Sequence, residues 1–412
     1  MAMGFTICWW VVVVLSVFSA PFMLWMGITL CAGLFKQKGL KQTEETEHKF
    51  AVMICARNEE NVIGNLLLSL KKQTYKNYEL FVVADNCTDN TARVCENLGA
   101  HVYERFNEAQ KGKGYALCWG IDRLQKDYAG EFDALCVFDA DNLAAPDFLE
   151  EMNRALCSDA DVAIGYRDTK NIHDSWVSEV YSIYWLMLQR FYHGARHNIG
   201  LSSMVGGTGF AFKLSALGEE GWKTYSLTED VEFSIQQILK GHKILPARKA
   251  VFYDEQPSDF GVSIRQRFRW IVGGMQCIPL YLSKIMKSVF SGNLKSLDLA
   301  WYILFIPATG IALPLNVAVV LMLAFQPAFT AIALPVGLLI LAGNWIVGMI
   351  AGAAVLWLEH KKLKPMLRGI ALYPLFLISM IFLSFGALFH THIEWEPIAH
   401  NSKCTIEDVD VS

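Results

Sequence analysis

Hydrophobic and polar positions divide the chain into a middle stretch of mixed character and two strongly apolar flanks. Residues 5–35 carry no charged side chain, and neither do residues 299–358. About 20 apolar residues span a bilayer core, so uncharged runs of this length predict membrane-crossing helices. One such run also fits a helix buried in a large soluble core, but several in one chain argue against it. The first run lacks a basic leader and exceeds the ~7–15-residue core of a signal peptide, so a retained helix over 1–36 is expected. The second is too long for one crossing, and Phe325-Gln326-Pro327 divides it into two helices with a tight external turn. A third stretch, 369–389, contains Pro374. It either crosses, leaving the tail 391–412 external, or lies in the interface, leaving the tail cytosolic.

The middle stretch alternates two periods. Residues 50–55 are a short apolar run suited to a buried parallel strand, 79–84 and 134–138 read as further strands ending in Asp85 and Asp139, and 59–72 and 88–98 carry helical spacing. Strands alternating with helices predict an α/β fold with a mostly parallel sheet covered on both faces. Ligands of such sheets bind beyond the carboxyl ends of the strands, so polar residues there are the first candidates for chemistry. Between Ile271 and Val289, Ile278, Leu280, Leu282, Ile285 and Met286 mix with Lys284 and Lys287. This pattern fits either an amphipathic helix on the headgroups or an ordinary surface helix. The expected organisation is a membrane helix over 1–36, an enzyme domain over 49–270 and an interfacial segment over 271–297. A membrane region of two or three helices over 298–390 and the tail would follow.

Charge orients this arrangement. Lys36, Lys38 and Lys41 follow the first run, and His360, Lys361, Lys362, Lys364 and Arg368 follow the second. Positive flanks belong on the cytoplasmic side, which predicts a multi-pass cell-membrane protein with residues 50–270 in the cytosol. Ten cysteines without any Cys-x-x-Cys pair agree, reading as plain thiols in a reducing compartment. A net charge of -4 and no basic stripe exclude a nucleic-acid partner. The spans show no repeat and no acid or base at depth, which argues against a transporter.

Five polar groups then stand out. Asp139-Ala140-Asp141 follows an apolar strand; the paired carboxylates are either turn formers or hard oxygen ligands for Mg²⁺ or Mn²⁺. Asp85 ends the preceding strand in a segment rich in helix-capping residues. Lys111-Gly112-Lys113-Gly114 fits either a basic loop facing a diphosphate or a solvated turn. In Thr228-Glu229-Asp230-Val231-Glu232 the acids serve as first-turn residues or supply a general base. Gln266-Arg267-Phe268-Arg269-Trp270 offers a guanidinium for phosphate oxygens or an interfacial Arg and Trp anchor.

Taken in order, Ala56-Arg57-Asn58-Glu59-Glu60, Asp85, Lys113, Asp139-Ala140-Asp141, Gly206-Gly207-Thr208-Gly209, Thr228-Glu229-Asp230 and Gln266-Arg267-Phe268-Arg269-Trp270 resemble the membrane-bound family-two glycosyltransferases. That branch includes the hyaluronan, chitin, cellulose and poly-N-acetylglucosamine synthases. The resemblance covers residues 50–270 and implies a GT-A-like nucleotide-sugar-binding fold with membrane helices at both ends. It implies that Ala56, Arg57 and Glu59 approach the nucleoside, Asp85 the uracil and Lys113 the diphosphate. Asp139 would contact the nucleotide, Asp141 the metal, and Arg269 the diphosphate. Gly207, Thr208, Gly209, Glu229, Gln266 and Trp270 would line the acceptor site, and Asp230 would be the catalytic base. The implied reaction inverts the anomeric centre of a UDP-sugar and adds it to a growing polysaccharide. A membrane-lipid acceptor is the rival, because ceramide glucosyltransferases carry a similar Gln-x-x-Arg-Trp motif. With fewer membrane helices than the best-known polymer synthases, the chain leaves room for a partner subunit or a homo-oligomer.

Overall fold

The continuous apolar runs of the middle stretch form the centre of one eight-stranded sheet. The computed structural model describes residues 2–41, 46–293, 295–324, 327–390, 393, 402 and 404–409. The inter-helix turn expected at 325–326 and most of the tail 391–412 lie outside the described residues.

Helix α1 (Ala2–Leu34) leads into β1 (Phe50–Ala56), α2 (Ile63–Lys71), β2 (Tyr78–Asp85), α3 (Thr91–Asn97) and β3 (His101–Arg105). Next come α4 (Lys113–Asp127), β4 (Ala134–Asp139), β5 (Leu143–Ala144), α5 (Phe148–Leu156), β6 (Val162–Thr169) and α6 (Trp176–Met187). A π-helical turn, Leu188–Gly194, runs into α7 (Ala195–Asn198), followed by β7 (Phe210–Lys213), α8 (Glu229–Leu239) and β8 (Ile244–Asp254). The long helices α9 (Phe260–Phe290), α10 (Lys295–Ala324), α11 (Pro327–Leu358) and α12 (Leu367–Ala387) complete the described elements.

The strand order is β3-β2-β1-β4-β7-β6-β8-β5. The β3-β2-β1-β4 half is parallel, as is the β6/β8 pair. The pairings β4/β7, β6/β7 and β5/β8 are antiparallel, so the sheet is mixed. β7 breaks the parallel pattern because the chain returns to the carboxyl end of β4 before entering the sheet, setting Phe210 opposite Val137. That reversal places residues 206–209 beside Asp139. Alternate residues of each strand serve opposite faces. Phe50, Val52 and Ile54 pack with Ile63, Leu66 and Leu70 of α2, whereas Ala51 and Met53 pack with Leu117, Ile121 and Leu124 of α4. Trp222 closes the second face, its ring stacked 4.3 Å from that of Phe233 on α8.

α9 continues unbroken past Trp270, so the motif 266–270 and the amphipathic stretch after it are one helix. Its buried residues Cys277, Tyr281 and Ile285 pack with Ile235 of α8 and Ile303 of α10, while Lys284 and Lys287 are exposed. Three described segments are long and apolar enough to cross a membrane: Lys295–Val317, Pro335–Leu358 and Lys364–Ala387. Each is tied to the sheet domain by a buried acid. Asp298 takes a two-pronged bond from Arg196 and a third from Trp25 of α1. Glu359 accepts from Arg190, Arg248 and Tyr166. Glu179 on α6 accepts from Arg368 and from the backbone N–H of Gly369.

Both ends of α12 lie against the sheet domain. It starts at Glu179, and just past its end His390 packs on Phe268 of α9. Farther on, the backbone N–H of Ser402 reaches Glu255, and Ile406 and Val409 bury against Leu143 and Tyr253. The described tail residues thus lie against the sheet domain.

Trp222→Ala should cost about 3–5 kcal/mol, the usual range for emptying a large aromatic site. The expected readout is an earlier thermal transition of the detergent-solubilised protein. Unchanged melting would mean that the second face of the sheet does not depend on this ring.

Candidate active site

The carboxyl ends of β1, β2 and β4 are brought level by register, with Cys55 beside Asp139 and Ala56 beside Ala84. The loop after β1 carries Arg57, Asn58 and Glu59 and is clipped to the loop after β2. Asn58 Oδ1 accepts from the backbone of Thr88 at 2.8 Å, and the Glu59 N–H donates to Thr91 Oγ1 at 2.9 Å. Asp85 is buried and paired with Arg105 at the end of β3. Burial pushes its carboxyl pKa up, against the pull of Arg105 and Arg57. The candidate base-binding residues therefore form one connected wall.

Lys113 is not in a flexible loop. It opens α4, and its ammonium donates to Asp139 Oδ1 and, at 2.8 Å, to the Gly207 carbonyl. Burial alone would lower its pKa, but Asp139 and Glu229 outweigh that and hold it charged. The backbone N–H of Asp139 donates to Thr208 Oγ1 at 2.8 Å, and Thr208 donates to Asn142 Oδ1. Gly207 (φ 85°) and Gly209 (φ 63°) adopt left-handed backbone that favours glycine. At Gly209 a Cβ would also strike the Phe252 ring, and at Gly207 it would lie 3.6 Å from Asp230 Oδ2. The 206–209 loop is thus wedged between the strand-end acid and the candidate base.

Glu229 and Asp230 form the first turn of α8. Burial, then the neighbouring Asp230, pushes Glu229 up to about 7, and Asp230 is likewise raised by burial. Glu232 has a structural role: it accepts from the backbone of Tyr225 and Ser226 at 2.7 Å each and from Tyr281 of α9 at 2.9 Å. α9 reaches this turn because Gly273 has no side chain; a Cβ there would lie 2.9 Å from the Thr228 nitrogen.

The two arginines of 266–270 face different ways. Arg267 is fully buried and donates to the Phe376 carbonyl and Ser379 of α12. Arg269 lies in the field of Glu229 and Asp139, while burial pulls its pKa down. Gln266 accepts from Tyr181 at 3.0 Å, and the Trp270 ring lies 6.2 Å from Tyr181 and 5.8 Å from Trp185. These two residues therefore contact α6 rather than the strand-end acids.

Asp141 is buried, and its carbonyl accepts from Lys170, whose ammonium also pairs with Glu255. Among the described residues, no three His, Cys, Asp or Glu side chains gather closely enough to cage a metal. Two carboxylates, with the other positions left to phosphate oxygens and water, suit the donor preference of Mg²⁺ or Mn²⁺. Asp254, Arg167 and Asn142 were not identified from sequence. Asp254 ends β8 as Asp139 ends β4, so the same strand-end rule finds it once β8 is recognised. Burial, and then Asp141 and Asp139, push Asp254 up to about 6 against the pull of Arg167.

A mixed sheet of this order, with acids at its strand ends and three attached helices apolar enough to cross a membrane, has the GT-A-like fold of glycosyltransferases. The chain belongs to the family described as Glycosyltransferase like family 2, which it matches over residues 48–273. It is 27% identical over 250 residues to the probable glycosyltransferase YdaM of Bacillus subtilis (strain 168), covering 58% of each protein. It is 26% identical over 239 residues to poly-beta-1,6-N-acetyl-D-glucosamine synthase of Staphylococcus aureus (strain MSSA476), covering 57% of each. The match thus spans little more than half the length of these curated relatives. A mannosyltransferase of Pyrobaculum calidifontis, solved with GDP-Man and Mn²⁺, shares the fold at TM-score 0.56 and 16% identity. That likeness covers 91% of this chain and 97% of the other.

A carboxyl whose pKa rises from 4.5 to about 7 on folding takes up a proton at intermediate pH. Its stabilising share is complete below the unfolded value and is lost as pH rises through about 7. In EDTA-treated protein, melting temperature should therefore fall more between pH 5.5 and 8 for wild type than for Glu229→Gln. Parallel curves would count against a raised Glu229.

Proposed function

We propose that the protein is an inverting transferase that moves a sugar from a UDP-sugar onto a growing β-linked polysaccharide at the membrane, with glucose or N-acetylglucosamine as the unit. The observation that supports this most directly is the shared contact at Gly207. Lys113, on the side of Asp139, holds its carbonyl, and Asp230 lies opposite its α-carbon. A donor half and an acceptor half meet at that loop. The name of the staphylococcal relative favours an N-acetylglucosaminyl unit.

In this reading Arg57, Glu59 and Asp85 receive the nucleoside, and Lys113 and Arg269 face the diphosphate. Asp139 would contact the nucleotide and Asp141 would hold Mg²⁺ or Mn²⁺, which when bound neutralises charge on the leaving diphosphate. Asp230, as carboxylate, accepts the proton of the acceptor hydroxyl. The new bond joins that oxygen to the anomeric carbon as the bond to the diphosphate oxygen breaks on the opposite face, inverting the centre. Gln266 and Trp270 guide the acceptor from the membrane side. We further propose a multi-pass topology with the enzyme domain cytosolic, supported by the basic residues that follow α1 and α11. A partner subunit or a second copy would complete any channel.

Transfer of a single sugar to a membrane lipid is the rival reading, kept open by the Gln266-x-x-Arg269-Trp270 motif. Product size separates the two readings.

Purified enzyme should release UDP from one donor of a UDP-sugar panel, with Mg²⁺ or Mn²⁺ required and EDTA abolishing release. Asp230→Asn should lose roughly 10²–10⁴-fold in rate, the usual worth of a general base. A ladder of glycans supports the polymer, and a single lipid-linked sugar supports the rival. Asp230→Asn equal to wild type would remove the base assignment.

A further inference from the structure

We infer that Arg167 is the positioning residue of the acceptor loop, fixing residues 206–209 in register with Asp230; this rests on the transferase reading above. Arg167 lies on β6 and is 6% exposed. One Nη donates to the Gly206 carbonyl, and the other pairs with Asp254 Oδ2 at 3.3 Å. Its guanidinium plane covers the Trp185 ring at 3.9 Å.

Each of these partners belongs to a different part of the site. Gly206 precedes Gly207, the residue opposite Asp230. Asp254 Oδ1 accepts from Asn142 at 2.8 Å, and Asn142 Oδ1 accepts from the Asp139 backbone, so this arm ends at the metal loop. Trp185 packs against Trp270, and its indole donates to Gln256 Oε1 at 3.0 Å. Gln256 in turn donates to Asp254 Oδ2 at 2.9 Å, closing a buried ring of four side chains of which Arg167 is one.

Stability alone does not call for a guanidinium here, because apolar residues commonly replace buried ion pairs without loss. What a guanidinium adds is donation in two fixed directions while one face stacks on an aromatic ring. The loop needs such an anchor. Gly206 and Gly207 have no side chains of their own, so carbonyl contacts locate them: Lys113 at Gly207 and Arg167 at Gly206. Lys113 ties the loop to the donor side, and Arg167 ties it to the acceptor wall.

The test measures UDP affinity, melting temperature and sugar transfer on the detergent-solubilised full chain. Arg167→Met should leave UDP affinity within about twofold and lower transfer about 100-fold, the loss that a misplacement of ~1 Å produces. The ratio of transfer to donor hydrolysis should fall with it. Arg167→Lys keeps the charge but not the fork and should recover transfer only in part. Arg167→Met/Asp254→Asn removes both charges; it should regain melting temperature but not transfer. Recovery of transfer in that double variant would show that Arg167 only neutralises Asp254, overturning the positioning role. Loss of UDP affinity in step with transfer would overturn it as well. Wild type inactive with every donor would instead strike the proposed function itself.

Discussion

Carboxylates gathered in a partly dry pocket repel one another, and the architecture of this site follows from containing that repulsion. Asp139, Asp141, Glu229, Asp230 and Asp254 come together at one end of the sheet, with Lys113, Arg167 and Arg269 set among them. A buried charge without a partner costs several kcal/mol, so the positions of the cations are as constrained as those of the acids. The balance is incomplete, because Glu229 and Asp254 are still pushed up toward neutrality. A divalent cation arriving with a nucleotide diphosphate has the chemistry to change that balance.

The same logic joins the enzyme domain to the apolar helices. Asp298, Glu359 and Glu179 are each sheltered and each paired with arginine, and each sits where a long apolar helix meets the domain. α9 serves both regions from one motif. Arg267 locks onto α12, while Arg269, two residues later, faces the acids of the site. The helix that carries residues 266–270 is therefore part of the framework that seats the apolar helices.

Much of this was legible in the residue order. Strands at 50–55, 79–84 and 134–138 are apolar apart from Glu79 because both of their faces are covered, and they appear as β1, β2 and β4 with only end residues added. Strand-end acids were legible for the related reason that nothing apolar needs to follow such a strand. β3, β5, β6, β7 and β8 were not identified. β7 is four residues long, and β8 includes Arg248 and Lys249, so neither gives a clean pattern by itself. Lys113 looked like part of a flexible loop because Gly112 and Gly114 flank it, whereas contacts with Asp139 and Gly207 place it at a helix start.

Local chemistry, repeated at the right spacing, was enough for the family, the apolar flanks and the residue types of the site, because periodicity and motif order are properties of the chain itself. The tertiary structure decided which acid faces which cation, which arginine of 266–270 turns inward, and how Asp254 and Arg167 join the site. It also set Cys404, Ile406 and Val409 against β5 and β8. These outcomes depend on contacts between residues up to 339 positions apart, such as Asn65 with Cys404. Such pairings are selected by packing and by the cost of unpaired buried charge, and neither quantity exists until the sheet has closed.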